Sequence, residues 1–213
     1  MQMEKNPRDN GRPLVDLEDI REEMDRRLFY LKTLYDVSRE LIGVNDVHTI
    51  LKNFLMMTTG NFGVVEGLLM TQDATSKEIS HITSVGFEDY NCPLLIEEAK
   101  KVLDEKGAEK VLTGAGIPQG LQFSSISSGC LLPFRVDKTF WGLLGLGAKL
   151  TDKPYSEGDR DLLKTLVNNL VNSLKNAKFS EALKQAYDEV SSLNSAKDKA
   201  INHLSHELKT PTA

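Results

Sequence analysis

Cysteine is scarce: Cys92 and Cys130 are the only two in 213 residues, and they form no C-x-x-C pair. A disulfide framework is thereby excluded, and a reducing compartment is the natural setting for so few thiols. Long apolar runs are also missing. None approaches the roughly 18 residues needed to span a bilayer, so no transmembrane anchor is expected. The start, Met1 to Arg12, is too polar for a signal peptide. These absences place the protein in the cytoplasm and off the membrane. There is no surplus of basic residues: 26 Lys and Arg against 31 Asp and Glu leave a formal charge of −5. Without a cationic face to neutralise phosphates, a nucleic-acid partner is not expected. A further scarcity is local. From Asp159 to Thr210 there is neither glycine nor proline, so nothing there interrupts a helix.

What is present has the composition of a globular protein, 40% apolar and 27% charged. Pro7, Asn10, Gly11 and Pro13 mark residues 1–15 as a disordered lead-in. Leu17, Ile20, Met24, Leu28, Leu31, Tyr35, Leu41 and Ile42 then recur mostly three or four apart, giving a long helix with one apolar stripe. That stripe reads as a dimer seam in its first half and a core-facing edge in its second. Gly43 ends this helix, and Asn45 or Asp46 is suited to cap the next, whose buried side is Ile50, Leu51, Phe54, Leu55 and Thr58. Val64–Thr71 and Glu78–Val85 read as an antiparallel pair across a turn at Asp73–Lys77. Pro93 opens a helix running to Gly107. Val111–Leu112 reads as a short strand, and Gly114–Gly120 as a loop of the kind that borders a pocket. Ser128–Val136 and Thr139–Leu150 form a second pair joined at Asp137–Lys138, irregular or at an edge where Pro133 lacks a donor. Gly142, Gly145 and Gly147 lie inside this strand pattern and read as close-packing positions. Ser156 and Asp159 have the spacing of a capping box. A helix from there to the C-terminal region would be about 80 Å long. Its later seam of Leu183, Tyr187, Val190, Leu193, Ile201, Leu204 and Leu208 has the narrowness of a parallel coiled coil, with Asn194 and Lys197 as polar interruptions.

Near the end of this helix stands His206-Glu207-Leu208-Lys209-Thr210-Pro211. A chance match to this ordered string is on the order of 10⁻⁵, so it is read as a motif. It resembles the H-box of sensor histidine kinases, where the histidine takes a phosphoryl group from ATP. Two steps past Leu204, His206 projects about 200° round the helix from the seam, toward water. A neutral imidazole leaves one ring nitrogen free as nucleophile. Glu207 is placed to hydrogen-bond the other and fix the tautomer. The resemblance implies that Thr210 positions water during dephosphorylation of the response regulator. Pro211 should bend the helix just past the acceptor. No Gly-rich phosphate cradle occurs in the chain, so the resemblance implies ATP held by a domain absent from this chain, and a fragment that is inactive alone.

Two stretches, Leu34–Met70 and Trp141–Ala177, resemble GAF domains, and the order of elements between them extends the likeness over roughly residues 30–177. The implied fold class is α+β: a GAF-like antiparallel sheet with helices packed on it, followed by a long C-terminal signalling helix or coiled coil. The expected organisation is a lead-in (1–15), a GAF-like sensor with its N-terminal helix (16–177), a coiled-coil linker helix (178–200) and the start of a phosphoacceptor domain (201–213). The resemblance implies a family whose members bind cyclic nucleotides, tetrapyrroles, haem or small metabolites, or bind nothing. Asp152-Lys153, Tyr155 and Asp159-Arg160 only faintly echo the cyclic-nucleotide pattern, and capping and surface roles explain them more simply. Neither cysteine precedes a histidine, the usual arrangement in bilin-binding members, and both read as small apolar fillers. His48 and His81 read as structural or solvent-facing rather than haem ligands. Phe123, Phe134, Phe140 and Trp141 read as core. The GAF ligand is unassigned, with Gly114–Ser128 the first place to look for a small-molecule ligand.

Together these features are those of a cytoplasmic two-component sensor histidine kinase, a homodimer through its N-terminal helix and coiled coil, whose partner is a response regulator receiver domain. The alternative is a non-catalytic GAF module that binds a small ligand and dimerises. A reductase of the methionine-sulfoxide type would need reactive cysteines, which the settings of Cys92 and Cys130 disfavour.

Overall fold

A computed structural model describes residues 14–73, 78–86, 111–113, 117 and 129–209, with side chains between 17 and 205. The turn at 74–77, the helix expected from Pro93, Cys92, Phe123, Thr210 and Pro211 lie outside the described residues. So do residues 1–13 of the lead-in, and the Gly114–Ser128 loop apart from Ile117, which is buried.

Helix α1 (Leu14–Leu41) begins within the expected lead-in. Its second half meets the core through Tyr30, Leu34, Val37 and Leu41. Leu31 and Tyr35, expected on that edge, are each 64% exposed. The helix carries two apolar stripes one residue apart, both with helical spacing, and sequence period alone does not say which one packs. The buried stripe is reinforced by polar contacts to its neighbours. Thr33 Oγ1 donates to Asn61 Oδ1 at 3.4 Å, and Asn169 Nδ2 donates to Ser38 Oγ at 2.8 Å.

The chain turns at Gly43, whose φ of 78° is left-handed and costs glycine little. Asp46 then caps helix α2 (Val47–Phe62), accepting from Thr49 N at 2.8 Å, and Gly63 closes it in the left-handed region. Ile50, Leu51, Phe54, Leu55 and Thr58 are fully buried, as their spacing requires. Each apolar side chain among them contributes about 1.5–3 kcal/mol by leaving water.

Strands β1 (Gly67–Asp73), β2 (Ile79–Val85), β3 (Leu112–Thr113), β4 (Cys130–Arg135) and β5 (Phe140–Leu146) form a sheet in the order β2-β1-β5-β4-β3, antiparallel throughout. β1 starts later than its apolar residues imply. Val64 makes only an isolated bridge to Lys149, and the ladder begins at Gly67, where a Cβ would crowd Thr59 and Leu55 of α2. β4 is regular through the Pro133↔Leu143 pair rather than irregular, and the described part of β3 pairs only with Cys130 and Leu131. Proline is tolerated where no neighbour needs its donor. Gly142 serves packing: a Cβ there would strike the ring of Phe134.

Alternation along the strands divides the sheet into two faces. Leu69, Cys130, Leu132, Phe134, Phe140, Leu144 and Leu146 share one core with the helices. Leu68, Met70, Gln72, Leu131, Trp141 and Leu143 are buried on the far face, where the register sets Gln72 opposite Trp141. Helix α3 (Glu157–Lys209) runs 53 residues without interruption, about 80 Å. Leu163, Leu166, Leu170, Leu174 and Ala177 bury its first part on the helical side of the sheet.

Candidate functional site

The site is built along α3, from its anchored start to its last described turn. The start is a capping box: Ser156 Oγ accepts from Asp159 N at 3.2 Å, while Asp159 Oδ2 accepts from Ser156 N at 2.8 Å. The same carboxylate receives Lys149 Nζ at 2.5 Å, both side chains being only 14% exposed. Burial works against the charged form of Asp159, but the bonds from Lys149 and Ser156 outweigh it and hold the carboxyl below its ordinary range. Tyr155, expected at the surface, is instead 6% exposed and donates to the Gly147 carbonyl at 2.8 Å. The faint cyclic-nucleotide pattern is therefore occupied by internal tasks, with Asp159 capping α3 and Tyr155 tied to the backbone.

Ala177 is the last buried side chain among the described residues of α3. Beside it, Lys178 Nζ reaches Asp137 Oδ2 at 3.1 Å, in the turn between β4 and β5, and lies 4.0 Å from the centroid of the Phe140 ring. Asp137 is held for this contact by Thr139, whose N–H and hydroxyl donate to Oδ1 at 2.7 and 2.9 Å. Nearby, an open cleft of about 460 Å³ separates Asn45, Asp46, Val47 and His81 from Ala177, Lys178, Glu181, Ala182 and Gln185 of α3. His81 is partly buried there, its Nδ1 enclosed with no partner. Burial, then the neighbouring His48, lower its pKa, and Asp46 only partly offsets this. His48 itself is exposed. Nothing local in the sequence announces the Lys178–Asp137 contact, because its partners are 41 residues apart.

From Glu181 to Ser205 every side chain is exposed. The seam residues Leu183, Tyr187, Val190 and Leu193 are 57–72% exposed, Ile201 49% and Leu204 58%. The helical backbone carries on through His206 and Glu207 to Lys209. The side chains of His206 and Glu207 and all of Thr210 lie outside the described residues, so the helix places only the backbone of His206 and Glu207. Cys130 is fully buried, and burial pushes its thiol up to about 12, the environment of an inert filler. Phe134, Phe140 and Trp141 are buried as expected. Among the described residues no group of three His, Cys, Asp or Glu could hold a metal ion. None of their helices is long and apolar enough to cross a membrane.

No family model matches the chain, and no curated protein matches it in sequence. Solved structures do match. One is a GAF domain assigned to a sensor histidine kinase of Pseudomonas syringae pv. tomato, 21% identical, with TM-score 0.53, covering 78% of this chain and 99% of that one. Another is the free methionine-R-sulfoxide reductase of Neisseria meningitidis, 16% identical, with TM-score 0.56, covering 71% and 91%. A third is the GAF domain of a phosphoenolpyruvate-protein phosphotransferase of Coxiella burnetii, 14% identical, with TM-score 0.51, covering 73% and 98%. What these proteins share with the chain is the fold: a GAF-like antiparallel sheet with helices packed on it.

Proposed function

We propose that the chain is the sensory and phosphoacceptor part of a cytoplasmic two-component sensor histidine kinase. One observation carries the reading. A single unbroken helix starts in a capping box tied by Lys149 to the segment that follows β5 and ends in the H-E-L-K motif. A GAF-type sensor and a phosphoacceptor histidine are thus two ends of one rigid element. The resemblance to the H-box supplies the chemistry: a ring nitrogen of His206 forms a bond to the γ-phosphorus of ATP as the bond to the ADP oxygen breaks. The phosphoryl group then passes to an aspartate of a response regulator receiver domain. Glu207 orients the imidazole and offsets charge as the phosphoryl arrives, and Thr210 positions the water that takes the phosphoryl group when the response regulator is dephosphorylated. ATP is bound by a separate catalytic domain. The apolar seam of α3 and the outer stripe of α1, both exposed in one chain, pack against a second copy in a homodimer. Ligand binding at the GAF domain then shifts the balance between helix arrangements in that dimer.

The test is direct. Full-length kinase incubated with ATP should acquire acid-labile phosphate, and His206→Gln should lose it entirely. Label that persists in His206→Gln sinks the assignment. A wild-type protein that never labels, yet binds a small molecule and dimerises, establishes the competing reading of a non-catalytic GAF module.

A further inference from the structure

We infer that Lys178 is a positioning residue: its tie to the β4–β5 turn sets the line along which α3 leaves the sheet, and through it the presentation of His206. This rests on the histidine-kinase reading above. The argument starts from the point of exit. Ala177 is the last buried side chain among the described residues of α3, and Lys178, the residue after it, is tied to the β4–β5 turn. Lys178 combines two attractions, a charge-assisted hydrogen bond to Asp137 and a cation–π contact with Phe140. Its acceptor is preset, because Thr139 saturates Oδ1 and leaves Oδ2 for the ammonium. Lys178 also borders the open cleft of about 460 Å³ facing Asp46 and His81, together with Glu181, Ala182 and Gln185 of the next turns. The helix is thus tied at its exit beside a cleft that leaves it room to move. With the two side chains 40% and 41% exposed, the tie is weak, as befits a contact that is made and broken. A route to it exists through β5. Phe140 beneath Lys178 adjoins Trp141, which is buried on the far face of the sheet, so a shift of that face moves the ring on which the ammonium rests.

The test uses the full-length protein in three forms, Lys178→Met, Asp137→Asn and Lys178→Arg, with two readouts. These are amide hydrogen exchange across residues 179–190 and the initial rate of His206 phosphorylation. Loss of an exposed tie of this class corresponds to roughly a two- to fivefold effect. Lys178→Met and Asp137→Asn should each speed exchange over 179–190 and alter the labelling rate by that factor, while exchange over 162–174 stays at the wild-type rate. Lys178→Arg, which keeps charge and reach, should restore both. Unchanged exchange or an unchanged labelling rate in Asp137→Asn, which leaves α3 chemically intact, overturns the inference, as does failure of the arginine variant to restore. If the wild type never labels on His206, the kinase reading fails, and the tie stands or falls on exchange alone.

Discussion

His81 and Asp159 show how single side chains here are governed by what surrounds them. Asp159 closes a helix cap and an ion pair at once, a role that the Ser156–Asp159 spacing made legible. The Lys149 contribution was not legible, since it depends on the chain folding back beside the cap. His81 stands alone on β2, and its burial was invisible from a strand pattern. Its lowered pKa has a definite consequence for stability. Between the folded pKa and the ordinary 6.5, the unfolded chain holds more protons than the native state, so stability rises with pH in that window. The contribution is complete above pH 6.5 and is lost as pH falls through the folded value. Replacing His81 with leucine removes the titration, and urea unfolding midpoints compared between pH 7 and pH 5 should fall less in His81→Leu than in the wild type. Equal losses in the two proteins would rule this out.

At the scale of elements, α2 and α3 were legible because each has one apolar face and capping chemistry at the expected spacing. Ile50, Leu51, Phe54, Leu55 and Thr58 are all buried, and the Asp46 and Ser156 caps form. α1 was only half legible, since Leu31 and Tyr35 repeat as well as Leu34 and Val37 do, and only the neighbouring Asn61 and Asn169 reveal which stripe turns inward. The start of β1 was misjudged for a related reason: Val64 is apolar and buried, yet it only bridges to Lys149 outside the ladder. The continuity of α3 is the element-level property on which the proposed signalling depends. A proline at Val190 removes a backbone donor and clashes with the preceding turn, at a cost of about 3 kcal/mol or more within the helix. Because Val190 lies within the fully exposed stretch 181–205, Val190→Pro should leave GAF-domain melting unchanged while disconnecting His206 phosphorylation from any ligand bound upstream. Regulation that survives in this variant would show that the signal does not travel along α3.

As a whole, the chain offers water two rows of apolar side chains, one on α1 from Leu17 to Tyr35 and one on α3 from Phe179 to Leu204, most of them more than half exposed. A monomer rarely leaves so much contiguous apolar surface uncovered. Sedimentation of the wild type should report a dimer, and Leu183→Asp combined with Val190→Asp, which places like charges on the seam, should shift it toward monomer at equal concentration. A wild type that sediments as a monomer at micromolar concentration would remove the dimeric reading. The architecture was legible at this scale because the glycine- and proline-free stretch after Gly158 requires a helix longer than one domain. The H-box residues were legible only as a motif, carried by residue identity and order rather than by a packing period. The length of α3 has one more consequence. From Ala177 to His206 the helix is a lever arm of about 44 Å, so a tilt of about 5° at its base carries the tip through about 4 Å. That exceeds the ~3–3.5 Å separation at which reacting atoms are poised for attack. A displacement of the sheet too small to alter its own packing would therefore be magnified into the difference between a histidine within reach of a phosphoryl group and one beyond it.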